Sequence, residues 1–122
     1  MAMIHENLKR GTIELILLSM LKDGDKYGYE IVHQLFSRSN GRYNLQEGSM
    51  YPSLYRLLEK GLVSDYKVVV GKKRTRVYYH LTEDGRIYLD ALIKDYRSIT
   101  EGIEAVIDYE PAEEDEEESA TQ

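Results

Sequence analysis

Ser49, Ser53, Arg56 and Lys60 recur at spacings of four, three and four residues, the rhythm of one stripe along a helix. Small hydroxyls beside a guanidinium suit close approach to a polar edge, and the edges of base pairs and the phosphates that flank them present such acceptors. An ordinary solvated helix face is the competing reading, but serine is a mediocre helix former, and two of them on an outer face point to contact. Arg56 serves either as a reader of guanine O6 and N7 or as a phosphate holder. Tyr51 and Tyr55 flank the stripe, where a phenol either reaches phosphate or sits half-buried against the core. A dozen residues on, Lys72, Lys73 and Arg74 form a run of three cations after Gly71, with Arg76 close behind. Charged hairpins blunt exposed sheet edges. Three consecutive cations exceed that need and predict phosphate or minor-groove contact, with Arg76 as a strand residue in an ion pair.

Two kinds of element must carry these groups. Met50, Leu54, Leu57 and Leu58 repeat at i, i+4, i+7 and i+8 and predict a helix with one apolar face. Its start falls at Ser49 as N-cap, with Pro52 in the first turn, where no intrahelical donor is lost, and Gly61 ends it. Leu62 to Val70 and Thr75 to Leu81 are rich in Val, Tyr and Leu and predict two strands joined by a turn at Gly71 to Arg74. Upstream, Ile13 to Leu21 is apolar nearly all round and predicts a helix buried on more than one side. Asp25 is a candidate N-cap for a further helix over Tyr27 to Arg38, in which Ile31 pairs with Leu35 and Val32 with Phe36, and Asn40–Gly41 stop it. Tyr43 to Leu45 is read as a short strand on the hairpin's edge. The fold class is therefore α+β and mainly helical: a winged helix-turn-helix, with the third helix set for a DNA major groove.

Thr82 caps one more helix, with Glu83 and Asp84 at its positive end. From there Leu89, Leu92, Tyr96, Ile99, Ile103 and Val106 are spaced three, four, three, four, three, a heptad seam for a long partner helix. A helix from Glu83 to about Ile107 spans about 37 Å. So small a core cannot cover it, and a second subunit is implied. The organisation is then a DNA-binding domain over 1–81, a dimerisation helix over 82–107, and a disordered acidic tail over 108–122.

A chain of 122 residues with 42% apolar content supports one core and leaves no room for a second catalytic domain. It has no cysteine, so disulfides and thiolate chemistry are excluded. His5, His33 and His80 lie far apart without paired ligand spacing, and neither a metal nor another cofactor is expected. No phosphate loop, nucleophile elbow or H-E-x-x-H pair is present, so no catalytic residues are assigned and an enzyme is not expected. The apolar run at 13–21 is too short for a bilayer and carries no cleavage signal, which places the protein in the cytoplasm with no membrane partner. The net charge of −6 is uneven: eight of the acids lie from Asp108 onward, leaving residues 1–107 at +2, and Arg56 to Arg86 holds eight basic residues against four acidic. Phosphate feels the local patch more than a remote tail. The tail is read as a solubilising appendage, with competition against DNA at the basic turn as the sharper alternative.

YGYEI at Tyr27 to Ile31, EGSMYPSLYRLLEKGLV at Glu47 to Val63 and RVYYHLTEDG at Arg76 to Gly85 occur in an order and spacing that resemble the PadR family of bacterial transcriptional regulators. The likeness covers about residues 8–107, and the single C-terminal helix resembles the short subgroup that includes multidrug-responsive repressors. It implies a homodimer on a palindromic operator of double-stranded DNA, repressing until a small aromatic or drug-like effector binds. Carried over by position, the recognition helix is Ser49 to Lys60 and the wing tip Gly71 to Arg74. Tyr96 stands where drug-binding members of the family place Trp on the last helix, and Leu8 and Leu15 of the first helix would face the same space. The competing function is a winged-helix protein-interaction module that has lost DNA binding.

Overall fold

The computed structural model describes residues 2–112 of the chain. Five helices and three strands follow in the order α1 (Ala2–Lys9), α2 (Ile13–Met20), β1 (Lys26–Tyr27), α3 (Gly28–Arg38), α4 (Glu47–Glu59), β2 (Val63–Gly71), β3 (Arg74–Leu81) and α5 (Glu83–Asp108). The described residues divide after Leu92 into two compact units. In the first, α2, α3 and α4 pack on one another, and Leu17, Leu18, Leu21, Ile31, Met50, Leu54, Leu57, Leu81 and Leu89 are all but sealed from solvent. These are the apolar positions of three amphipathic helices plus the inward residues of β3 and α5, so burial follows the helical and strand periods.

The sheet has the order β1-β3-β2, antiparallel throughout. Its third strand is Lys26–Tyr27, paired to Tyr79 and Tyr78 of β3, and not the expected Tyr43 to Leu45. That segment is irregular because its polar groups are taken elsewhere. The Tyr43 amide donates to Ser39 Oγ at 2.9 Å, its hydroxyl lies 2.7 Å from Thr12 Oγ1, and Leu45 is buried. Asp25 is likewise not a helix cap. Its carboxylate accepts from the Tyr66 hydroxyl at 2.8 Å and lies 2.7 Å from His80 Nδ1, tying the loop before β1 to both wing strands. Partial burial works against that charge, but the His80 and Tyr66 hydrogen bonds outweigh it and hold the pKa below 3.8. Glu30 does the capping of α3 by accepting from the Tyr27 amide at 3.3 Å.

The apolar N-terminal segment is one of two helices. Arg10, Gly11 and Thr12 separate α1 from α2, with Gly11 at φ +89°, so Leu8 and Leu15 belong to different helices. Helix α5 begins where Thr82 receives the Gly85 amide at 3.0 Å and gives its own hydroxyl to Gly61 O at 2.8 Å. A Cβ at Gly85 would collide with the backbone carbonyl of Leu62, so this glycine lets the first turn of α5 lie against the end of α4. Residues 109–112 have no regular structure, and the rest of the acidic tail lies outside the described residues.

Candidate nucleic-acid interface

Helix α4 begins earlier than the Ser49 cap predicts. Gln46 is its N-cap, and its carbonyl accepts from the amides of Ser49 and Met50 at 3.0 and 2.9 Å. Pro52 thus falls within the helix and withholds the amide that would bond to the carbonyl of Gly48. The other end closes as the sequence indicates. Gly61 takes φ +73°, its amide donates to Leu58 O and that of Leu62 to Leu57 O, both at 3.0 Å, the paired bonds of a Schellman stop.

The early start does not move the buried face, which is Met50, Ser53, Leu54 and Leu57. At 100° per residue, a turn of 3.6 residues, the direction opposite that face runs through Gly48, Pro52, Tyr55 and Glu59, all exposed. Ser49, Arg56 and Lys60 lie on one flank of this ridge, with Tyr51 and Glu47 on the other. Ser53 is therefore not on the outer stripe: it is 1% exposed, and its hydroxyl donates to Ser49 O at 3.0 Å and accepts from Arg56 Nη2 at 2.9 Å. The sequence expectation fails there because a serine whose hydroxyl bonds back into its own helix is small enough for the core. Lys60 is exposed and bonded to Glu14 at 3.0 Å, which raises its pKa.

Across from the Tyr51 flank stands the wing. Gly71 and Arg74 pair across a two-residue turn of Lys72 and Lys73, and all three cations are exposed. Arg76 is a strand residue as expected, but its partner is a ring: the guanidinium carbon lies 4.2 Å from the centroid of Tyr27. Tyr66, Tyr78 and Tyr27 form a row across the three strands, the first pair stacked at 5.7 Å and the second edge-on at 5.5 Å. Between α4 and β3 lies a cleft of about 330 Å³, lined by Tyr29, Tyr51, Tyr55, Arg76 and Glu47 among others. Burial, then the Glu47 charge, raises the Tyr51 pKa, so this phenol remains a neutral donor at pH 7. Gly28 makes room for it, since a Cβ there would strike the Tyr51 hydroxyl.

Of the residues read as facing an effector, Leu15 is buried at 9% exposure, Leu8 is 75% exposed, and Tyr96 is 46% exposed. Leu15 packs into the core of the first unit, on a different helix from Leu8. In the second unit Ile99, Ile103 and Val106 are 62, 52 and 78% exposed. Among the described residues, no cluster of three or more His, Cys, Asp or Glu is placed to hold a metal, and no helix is long and apolar enough to cross a membrane. Sequence reasoning left Glu47 and Gly48 outside the helix and put Pro52 in its first turn because it began the helix at Ser49, so the ridge that Gly48 and Pro52 form with Tyr55 and Glu59 was not seen. Extending the face of Met50 and Leu54 one turn back would have placed Gly48 and Pro52 opposite it.

Helices α2, α3 and α4, followed by the two-stranded wing of β2 and β3, define a winged helix-turn-helix. Residues 17–91 match the Transcriptional regulator PadR-like family, and the chain belongs to it. A transcriptional regulator of Mycobacterium tuberculosis is 34% identical over 94 residues, covering 76% of this chain and 80% of its own. A PadR family transcription regulator from Clostridium difficile shares 32% identity at a TM-score of 0.69, over 80% of this chain and 99% of that one. The fold is also that of Bacillus subtilis PadR, solved with operator DNA, at 24% identity and a TM-score of 0.62, over 70% of this chain and 48% of that one.

Proposed function

We propose that this chain is a homodimeric repressor that binds a palindromic operator, α4 entering the major groove and the Lys72–Arg74 turn meeting phosphate. The observation that carries this reading is the outer ridge of α4, unencumbered at Gly48 and Pro52, beside a wing tip with three exposed cations. Three consecutive cations at that tip exceed what blunting a sheet edge requires, which disfavours the interaction-module reading. Ser49 and Arg56 on one flank and Tyr51 with Arg76 on the other supply the donors, while Lys60 must leave Glu14 to reach phosphate. Bacillus subtilis PadR, of the same fold, is bound to operator DNA, which supports the assignment. A small aromatic effector held at the dimer interface against Tyr96 would release the operator by altering the packing of α5.

The test is binding of the full chain to its selected DNA site over a range of salt. Each phosphate contact contributes about one to the slope of log K against log salt. Replacing Lys72, Lys73 and Arg74 with Gln should lower that slope by about two to three. An unchanged slope would move the protein-interaction module ahead.

A further inference from the structure

Arg56 is the one basic residue within α4, and its head group is held by its own helix. Its Nη2 donates at 2.9 Å to the hydroxyl of Ser53, three residues back, and that hydroxyl donates to Ser49 O at 3.0 Å. Ser53 is itself 1% exposed and fixed by the core, so the guanidinium hangs from a rigid point. Two consequences follow from the chemistry. Leaning back toward residue 53 brings the guanidinium a turn closer to the N-terminal half of α4, the part of a recognition helix that reaches base edges. Only one of its five N–H donors is engaged by Ser53, so the planar fork remains able to address two acceptors side by side. Phosphate is a diffuse target that a mobile lysine or arginine finds without guidance. Guanine O6 and N7 demand a fixed plane and a fixed angle.

We infer that Arg56 reads guanine and that Ser53, which does not touch DNA, is the positioning residue for that contact. This rests on the DNA-binding reading above and narrows it to one base.

The experiment starts with selection of random duplex DNA by the full-length protein. The selected site is then synthesised with 7-deazaguanine, which lacks the N7 acceptor, at each guanine in turn. Wild-type protein should lose about tenfold in affinity at one guanine per half-site. Ser53→Ala should lose that discrimination while keeping its salt slope, and in an Arg56→Ala background it should have no further effect on affinity. Indifference of the wild type to 7-deazaguanine at every position would overturn the guanine assignment. Losses from Ser53→Ala and Arg56→Ala that simply add would overturn the positioning role, as would full retention of the N7 preference in Ser53→Ala. If Ser53→Ala lowers thermal stability, Ser53→Thr, which keeps the hydroxyl, should restore the N7 preference, and its failure to do so in a folded protein counts against the inference. Selection that enriches no sequence would instead remove the DNA-binding reading itself, a separate outcome.

Discussion

Gly48 occupies an exposed helical position with nothing within 4 Å of a would-be Cβ. Glycine in a helix is less stable than alanine by about 0.5–1 kcal/mol, because more backbone freedom is lost on folding. No positive φ and no close neighbour accounts for it within the described residues, unlike Gly61 with its φ of +73° or Gly85 against Leu62 O. Pro52 stands one turn further along the same ridge and also lacks a long side chain. If α4 lies in a groove, these positions let its backbone approach the base edges more closely than Ala or Ser would. Gly48→Ala should therefore move two measurements in opposite directions. Thermal or urea unfolding should show equal or greater stability, and operator titration should show binding weakened by about 1–3 kcal/mol, the cost of an extra methyl in a close-packed contact. A variant that is stabilised and binds as tightly would show that the ridge does not meet DNA.

At the scale of elements, what could be read from sequence is what repeats. The seam of Met50, Leu54 and Leu57, the paired strands and the Gly61 stop are periodic or steric signals, and the structure has all three. The third strand was not legible because it is two residues long and is specified by β3, through Tyr78 and Tyr79, and not by its own composition. The place of Ser53 was not legible either, since nothing in a single serine tells a solvated hydroxyl from one bonded to the carbonyl four residues back. The junction of wing and α5 is another case where tertiary contact decides. Gly85 reads as an unremarked helical residue, yet a side chain there would meet the Leu62 carbonyl and lie 2.7 Å from Leu81 Cδ1. A backbone oxygen cannot swing aside as a side chain does. Gly85→Ala should cost about 2–3 kcal/mol in chemical denaturation despite alanine's better helix propensity. Stability equal to wild type would mean that α5 does not lie closely on the end of α4.

For the molecule as a whole, the open question is what covers α5. The helix runs 26 residues, about 39 Å, and from Ile99 onward its seam is more than half exposed. Ile99, Ile103 and Val106 are three of the exposed apolar residues there, and burying each against a partner would contribute about 1.5–3 kcal/mol. Charges at such positions cost a lone folded chain little, because the sites already face water, but they would place like charges on an isologous dimer seam. Ile99→Asp with Ile103→Asp should therefore leave the circular dichroism and the melting of the winged unit close to wild type while sedimentation shifts from dimer to monomer at micromolar concentration. Operator affinity should fall with it, since one recognition helix in place of two halves the phosphate contacts and removes the fixed half-site spacing of about 34 Å. The order of these losses matters. If the doubly charged variant remains a dimer and still binds a palindromic site, the subunits meet somewhere other than this seam, and the proposed link from Tyr96 through α5 to the operator fails with it. If it becomes monomeric yet binds DNA undiminished, α5 assembles the protein without setting its grip on DNA, and an effector acting at the seam would have no route to release.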